Sequence, residues 1–352
     1  MDDLIHTRDL LAEGLETPEY TSAVYLIARH GKIAASGALG HIGDEQCTPT
    51  TMDSLFDLAS LTKPIATATS LLILIERGML HLGDPVEGFF PSRDLKHLSG
   101  ITIRHLATHT SGLPAWVDMY TRGQSRSEAV DELLHTPLEY APGAKYVYSC
   151  LGYIMLGLII ERVTGASLAE FTAENIFRPL GMADTRFNPS LDDIHRIVRT
   201  EDCPSSRRKS VAEVQDGNAQ AMEGISGNAG MFSTIGDLAV YAQMLLNGGE
   251  YKGVRILSPE SVEMMFTNRI DPALGRQSIG FFMPPHDMLP CEEGWSDRCA
   301  GHTGFTGTSI VIDPAHDVFV ILLANKLYKY RDASDFFRRR RQFHNLIVSA
   351  VL

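Results

Sequence analysis

No apolar run in the sequence reaches the roughly 20 residues needed to cross a bilayer. The N-terminus, Met1-Asp2-Asp3-Leu4-Ile5-His6, has no signal-peptide core. As it stands the chain is expected in the cytoplasm with no integral membrane segment, or in the periplasm or outside the cell if a leader preceded it. Cysteine is scarce: five, at 47, 150, 203, 291 and 299, odd in number and without repeated spacing. That excludes a disulfide framework and suits a reducing compartment. Positive charge is in deficit, with a net charge of -12, which argues against general nucleic-acid binding. The one basic run, Arg338-Arg339-Arg340-Arg341, is expected to be a solvated helix face paired with acids such as Asp335. There is no internal repeat and no low-complexity segment.

What is present is 352 residues, 44% hydrophobic, enough for a large core or two subdomains sharing a cleft. Two strand candidates near the start, 23–28 and 32–37, are joined by the turn signal His30-Gly31. Two more, 309–314 and 318–323, stand near the end. Amphipathic or apolar helices are expected at 5–15, 60–77, 127–135, 151–163, 167–176 and 235–246, and from about Phe336. A shorter helical turn is expected over 102–109. Strands at both ends with helices between predict an α+β fold: an antiparallel sheet flanked by helices, plus a mostly helical subdomain. The expected boundaries are 1–85 with 221–352 for the sheet-bearing part, and 86–220 for the helical insertion.

The stretch that organises this plan is Ser60-Leu61-Thr62-Lys63-Pro64, ahead of the apolar run 70–75. A serine at a helix mouth and a lysine three residues on share one face. Unpaired N–H groups and the helix dipole there favour developing negative charge. For Lys63 to take the serine proton, burial must bring an amine of ordinary pKa near 10.4 to about 7, at a differential cost of about 4 kcal/mol. A second Ser-x-x-Lys, Ser206 to Lys209, sits in a polar charged stretch with nothing to desolvate its lysine. The first copy is therefore preferred. Pro64 also fits only near a helix start.

A serine nucleophile needs a base and an oxyanion site. Tyr148, just before the apolar helix at 151, is a second candidate for proton transfer. A phenolate beside a lysine ammonium would have a lowered pKa and could relay protons. The third piece is Gly301-His302-Thr303-Gly304-Phe305-Thr306-Gly307, leading into the strand at 309. Small residues at a strand edge let a substrate backbone approach. The plain alternative is a glycine-rich turn.

In order and spacing, Ser60-Leu61-Thr62-Lys63, Tyr148-Ser149-Cys150 and His302-Thr303-Gly304 resemble the three active-site elements of the penicillin-recognising serine hydrolases. The similarity is to the class C β-lactamase-like branch, with its D,D-peptidases and carboxylesterases. It runs from about 20 to 350 and includes 106–114, 153–165, 229–234 and 322–325. It implies Ser60 as nucleophile, Lys63 as proton acceptor or relay, and Tyr148 as general base and acid. It implies an oxyanion hole from the N–H groups of Ser60 and Phe305, and places His302-Thr303-Gly304 on the edge strand beside the cleft. No metal or organic cofactor is implied.

Two positions depart from the family pattern. Cys150 stands where asparagine is usual, and a thiol is a weak hydrogen-bond partner. His302 stands where many members carry lysine, so near pH 7 it offers a substrate carboxylate only part of a positive charge. Both point from an efficient β-lactamase toward an esterase or a peptidase with another substrate. The expected partner is a small ester, amide or peptide. The rival of another class is a non-catalytic or slowly acylated binding and sensor protein on the same scaffold.

Other residues have rival readings. Cys150 could be a nucleophile, but a buried inert thiol is the commoner case. His105 and His109 have i, i+4 spacing, yet Leu106 replaces the glutamate a zinc hydrolase needs, so His109 is read as supporting the cleft. Asp216 and Asn218 are read as cleft lining or loop stabilisers, and Asn325 as a strand-end cap or a site residue.

Overall fold

The structure is a computed structural model, and it describes residues 2–91, 93–121, 125–200, 210–291, 294–328 and 334–351. The second Ser-x-x-Lys, at 206–209, lies outside the described residues, as does Cys203.

A five-stranded antiparallel sheet joins the two ends of the chain. Strand Ser22–Arg29 pairs on one side with Lys32–Gly40 and on the other with Val318–Ala324. Ser309–Asp313 follows, and Ala300–Thr303 forms the far edge. Successive side chains along a strand alternate in direction, and the two apolar sets go to different cores. Val24, Leu26, Ile310, Ile312, Phe319 and Ile321 join the large core with helix Ile235–Leu246 and the Ser60 segment. Tyr25, Ile27, Val320 and Leu322 meet Leu11, Phe336, Phe343 and Ile347 from the terminal helices Asp2–Glu16 and Ser334–Val351. With both faces covered, strand 318–324 is buried throughout, which explains its continuous apolar sequence.

Only half of the basic run at the C-terminus is the expected solvated face, Arg338 and Arg341 being exposed. Arg338 does reach Asp335 at 3.6 Å. Arg339, however, is buried and donates to both Glu19 oxygens, Glu13 and the Leu10 carbonyl, clamping the two terminal helices together. Arg340 is buried over the Phe336 and Phe337 rings. The aliphatic stems bury well along aromatic surface, and the glutamates are too far away in sequence to be paired with them by inspection.

The Ser60 segment is not one regular helix. A 3-10 turn, Ala59–Leu61, leads into wide π-type turns over Lys63–Ala68 and then an α-helix, Thr69–Glu76. Pro64 has no N–H and its ring crowds the preceding turn. Its carbonyl meets the Thr69 N–H, five residues on, and also accepts from the Thr69 and Tyr241 hydroxyls. Such π-turns recur at functional sites. The helix Cys150–Thr164 is N-capped by Ser149 and closed by Gly165 at φ 70°, the left-handed stop that glycine supplies. No single helix among the described residues is long and apolar enough to cross a membrane.

A second, three-stranded sheet escapes the sequence reading because its strands are two or three residues long. In it Met231–Ser233 pairs with Phe56–Asp57 and Arg186–Phe187. It anchors the chain immediately before Ser60.

Candidate active site

Ser60 is held from both sides of the chain. Leu58 N–H donates to Met231 O (2.9 Å), and Met231 N–H donates to the Thr62 hydroxyl (3.2 Å). Between them Ala59 sits at φ 46°, a left-handed conformation costing a residue with a Cβ about 1–2 kcal/mol. The buried Asp57 carboxylate holds it there, accepting from Ala59 N–H (2.9 Å) and Gln215 N–H (2.7 Å).

Lys63 Nζ and Ser60 Oγ are hydrogen-bonded at 3.0 Å. Lys63 is fully buried. Its amine also donates to the Asn228 carbonyl (3.0 Å), contacts Cys150 Sγ (3.6 Å), and lies over the Tyr148 ring, 5.0 Å from its centre. Burial pushes the Lys63 amine below its ordinary value, while Cys150 and Asp216 pull the other way.

Tyr148 is half-buried, but its hydroxyl is shielded and makes no hydrogen bond of good geometry. Ser60 is the hydroxyl beside it. Burial pushes the phenol well above its ordinary pKa. From the sequence a neighbouring ammonium is expected to lower it. Burial overrides that, with Cys150 and Asp216 pushing the same way and the Ser60 hydroxyl against them. Burial likewise raises the Cys150 thiol, more than nearby Lys63 lowers it, which leaves it a poor nucleophile.

His302, Thr303 and Gly304 lie at and just beyond the end of the sheet's edge strand Ala300–Thr303, which Phe282 bridges at Gly301. This segment is therefore a strand and not merely a turn. Gly304 is required by contact: a Cβ there would lie 2.6 Å from Leu58 O and 2.1 Å from Thr308 Oγ1. His302 is fully buried, its Nδ1 against Thr303 O at 2.9 Å and its Nε2 without a partner. Burial, with Lys63 nearby, pushes its pKa well down. It is neutral at pH 7 and supplies no part of the positive charge expected from the sequence. Phe305 is 60% exposed, with Lys326 Nζ 4.6 Å above its ring. Its N–H has no backbone acceptor among the described residues.

No motif in the sequence marks the aromatic wall behind Tyr148. Phe282 stacks on His302 and on His286, each at 4.3 Å. The Tyr146 hydroxyl meets His286 Nε2 at 3.0 Å. These loop residues follow no periodicity that a motif search could detect. Asn228, which receives the lysine through its carbonyl, lies in the glycine cluster 224–233. Only the clustering was visible there.

The rival residues resolve into supporting parts. His105 Nδ1 accepts from Thr102 N–H (3.1 Å), whereas His109 Nδ1 accepts from Ser149 N–H (3.1 Å) and its ring packs 4.6 Å from that of Tyr148. The two histidines thus turn to separate partners. Among the described residues no group of three His, Cys, Asp or Glu side chains could hold a metal ion. Asp216 caps helix Gly217–Ala221. Asn218 joins that helix to Val117 and Met119. Asn325 bonds to the Arg199 carbonyl and the Leu327 N–H, as a strand-end cap.

Comparison with known proteins agrees with this architecture. The Beta-lactamase family model matches residues 7–344. An Escherichia coli K12 protein named "Putative D-alanyl-D-alanine carboxypeptidase" is 34% identical over 346 residues, covering 87% of this chain and 79% of its own. Two solved structures share the fold at 22% identity. EstCE1, a hydrolase with promiscuous acyltransferase activity, has a TM-score of 0.78 and covers 97% of this chain and 98% of its own. A class C beta lactamase from Rhodobacter sphaeroides has a TM-score of 0.76 and covers 98% and 99%. With nearly its whole length matched, the chain belongs to the beta-lactamase family.

Proposed function

We propose that the protein is a serine hydrolase that works through an acyl-enzyme at Ser60 and prefers uncharged esters to β-lactams. The cleft then runs between the sheet-bearing part (1–85 and 221–352) and the helical part (86–220). The observation that carries the reading is the buried Lys63 amine 3.0 Å from Ser60 Oγ.

Burial favours the neutral form of both proton carriers, a lysine amine and a tyrosine phenol. Environments that push two pKa values apart assign base and acid. Lys63 takes the Ser60 proton as Oγ attacks the carbonyl carbon. The N–H groups of Ser60 and Phe305 receive the oxyanion. As the tetrahedral intermediate collapses, the Tyr148 phenol protonates the leaving alkoxide. The phenolate left behind faces the Lys63 ammonium and now serves as base toward water. Hydroxide attacks the acyl carbonyl, and Ser60 leaves with the proton held by Lys63. Each group ends as it began.

The substrate preference rests on two side chains. His302 is neutral and cannot hold a carboxylate by charge, and the Cys150 thiol is a weak partner for an amide. An ester makes neither demand.

The test is hydrolysis of nitrophenyl butyrate by wild type and Ser60→Ala, with the intact mass followed for an acyl adduct. Many turnovers by wild type, a butyryl adduct on Ser60 and a dead variant are expected. Equal activity in both would refute the role of Ser60. A lasting adduct without turnover would favour the sensor reading instead.

A further inference from the structure

Two thiols lie outside this chemistry yet close to its supporting wall. Cys291 Sγ and Cys299 Sγ are 4.0 Å apart. Cys291 is half-buried at the surface and Cys299 is fully buried. Both belong to a small apolar cluster with Phe282, Leu289 and Val311, against which Tyr148 and Trp295 also pack. Cys299 directly precedes the edge strand that carries His302. Phe282 is bonded to that strand in both directions, its N–H to Gly301 O (2.9 Å) and its O to Gly301 N–H (3.1 Å).

We propose that Cys291 and Cys299 form a reversible thiol–disulfide couple whose oxidation locks the wall behind Tyr148. The arrangement suits stepwise exchange with a small-molecule disulfide. The accessible Cys291 thiolate attacks one sulfur of that disulfide and expels a thiolate, leaving a mixed disulfide. The Cys299 thiol, pushed well above its ordinary pKa by burial, gives up its proton as it attacks Cys291 Sγ at close range and expels the second thiolate. Two electrons pass from the protein to the small disulfide, and the two protons go to the expelled thiolates. A modest side-chain rotation closes the gap to a bond of about 2.05 Å. The ring closed by the bond, 291–299, lies wholly in the segment between Phe282 and the edge strand.

The sequence supplies a clean assay. Arg298 is the only lysine or arginine between the two cysteines, so trypsin separates peptide 277–298 from peptide 299–326 unless a disulfide joins them. The full chain is equilibrated in glutathione buffers of rising oxidised fraction, quenched with acid, alkylated and digested. The expected result is a joined pair 2 Da lighter than the sum of its free peptides. It should appear before Cys47 or Cys150 takes glutathione and vanish on reduction. Glutathione on Cys291 with the peptides still separate would overturn the couple, as would linkage of either cysteine to a third. Locking is read by amide hydrogen exchange over 282–299, expected to slow at least tenfold on oxidation. Unchanged exchange in a protein proven to be cross-linked would refute the locking. Cys291→Ser should show neither the linked peptide nor the slowing.

Discussion

The contact between Gly304 and the turn before Ser60 carries a quantitative consequence. In Gly304→Ala the new Cβ would stand 2.6 Å from Leu58 O and 2.1 Å from Thr308 Oγ1. Real Cβ contacts are almost never under 3.0 Å, so Leu58 O must retreat by at least about 0.4 Å. Thr308 can swing its hydroxyl away, but it then surrenders its bond to Leu58 O (3.1 Å), worth about 1 kcal/mol. Gly304 itself cannot yield easily, because its N–H donates to Thr308 O (2.8 Å) and its carbonyl accepts from Gly307 N–H (3.1 Å). Leu58 is two residues from Ser60, and Phe305 follows Gly304. The clash thus separates the two N–H groups assigned to the oxyanion. A misplacement of about 1 Å can cost about 100-fold, so kcat/KM on nitrophenyl butyrate should fall by about 10- to 100-fold. Overpacking of this kind costs about 1–3 kcal/mol, a fall in Tm of roughly 2–10 °C.

Gly40→Ala separates position from stability. Gly40 has φ 79° and its Cβ would lie 2.1 Å from Thr21 O, at the end of the strand on the opposite edge of the sheet from His302. It should lower Tm and leave kcat/KM per folded molecule within about twofold, as a surface-edge site far from the chemistry adds independently. The reasoning fails if Gly304→Ala keeps kcat/KM within threefold of wild type, or if Gly40→Ala loses as much activity as Gly304→Ala.

Four further outcomes are expected. Tyr148→Phe should slow ester turnover by about 10²- to 10⁴-fold, as loss of an acid–base group does. Thermal melting should show no loss of stability, because the buried hydroxyl makes no well-formed bond. Since burial lowers the Lys63 pKa from 10.5, kcat/KM should fall as pH falls through the lowered value. In the window between that value and 10.5 the unfolded chain holds more protons, so stability rises with pH. In Lys63→Met, denaturant titrations should lose that slope, and a pH–rate profile should show no turnover at any pH. Cys150→Asn should raise D-alanyl peptide or β-lactam hydrolysis relative to ester hydrolysis by about tenfold, the worth of one net hydrogen bond near 1.4 kcal/mol. Competition assays with paired substrates would show it. Arg339→Met strands the nearly buried Glu19 carboxylate. Urea unfolding should show a loss of about 3–5 kcal/mol, the usual result of breaking a buried pair.

The sheet was legible because its strands alternate apolar residues between two covered faces. The runs at 23–28 and 318–323 carry that pattern within a few residues. The helix at 150–164 announced itself by composition and by Gly165. Ser60, Lys63 and Tyr148 were legible through short motifs, and the structure brings them together. What stayed hidden depends on contacts between distant segments. The Pro64 carbonyl in the π-turns after Ser60 takes a bond from the distant Tyr241. The burial of Arg339 and Arg340 requires the N-terminal helix and the Phe336–Phe337 rings. The two- and three-residue strands at 56, 186 and 231 are too short for any period to register.

The charge state of the site belongs to that hidden class, and one cause governs it. Burial lowers Lys63, His109 and His302 and raises Tyr148 and Cys150. Every one of these shifts favours the uncharged form, which is what desolvation without a close counter-ion must do. The two departures from the family pattern act separately on Lys63. A lysine at 302 would set a second cation near Lys63 and disfavour its ammonium, an effect that neutral His302 does not supply. Cys150 itself favours the ammonium, as an asparagine carbonyl at 150 would. Neither departure therefore makes the amine a better base; burial alone moves it toward the neutral form. The base role proposed for Lys63 thus rests on desolvation, whereas the proposed preference for esters rests on the two departures: neutral His302 offers a carboxylate no charge, and the Cys150 thiol is a weak partner for an amide.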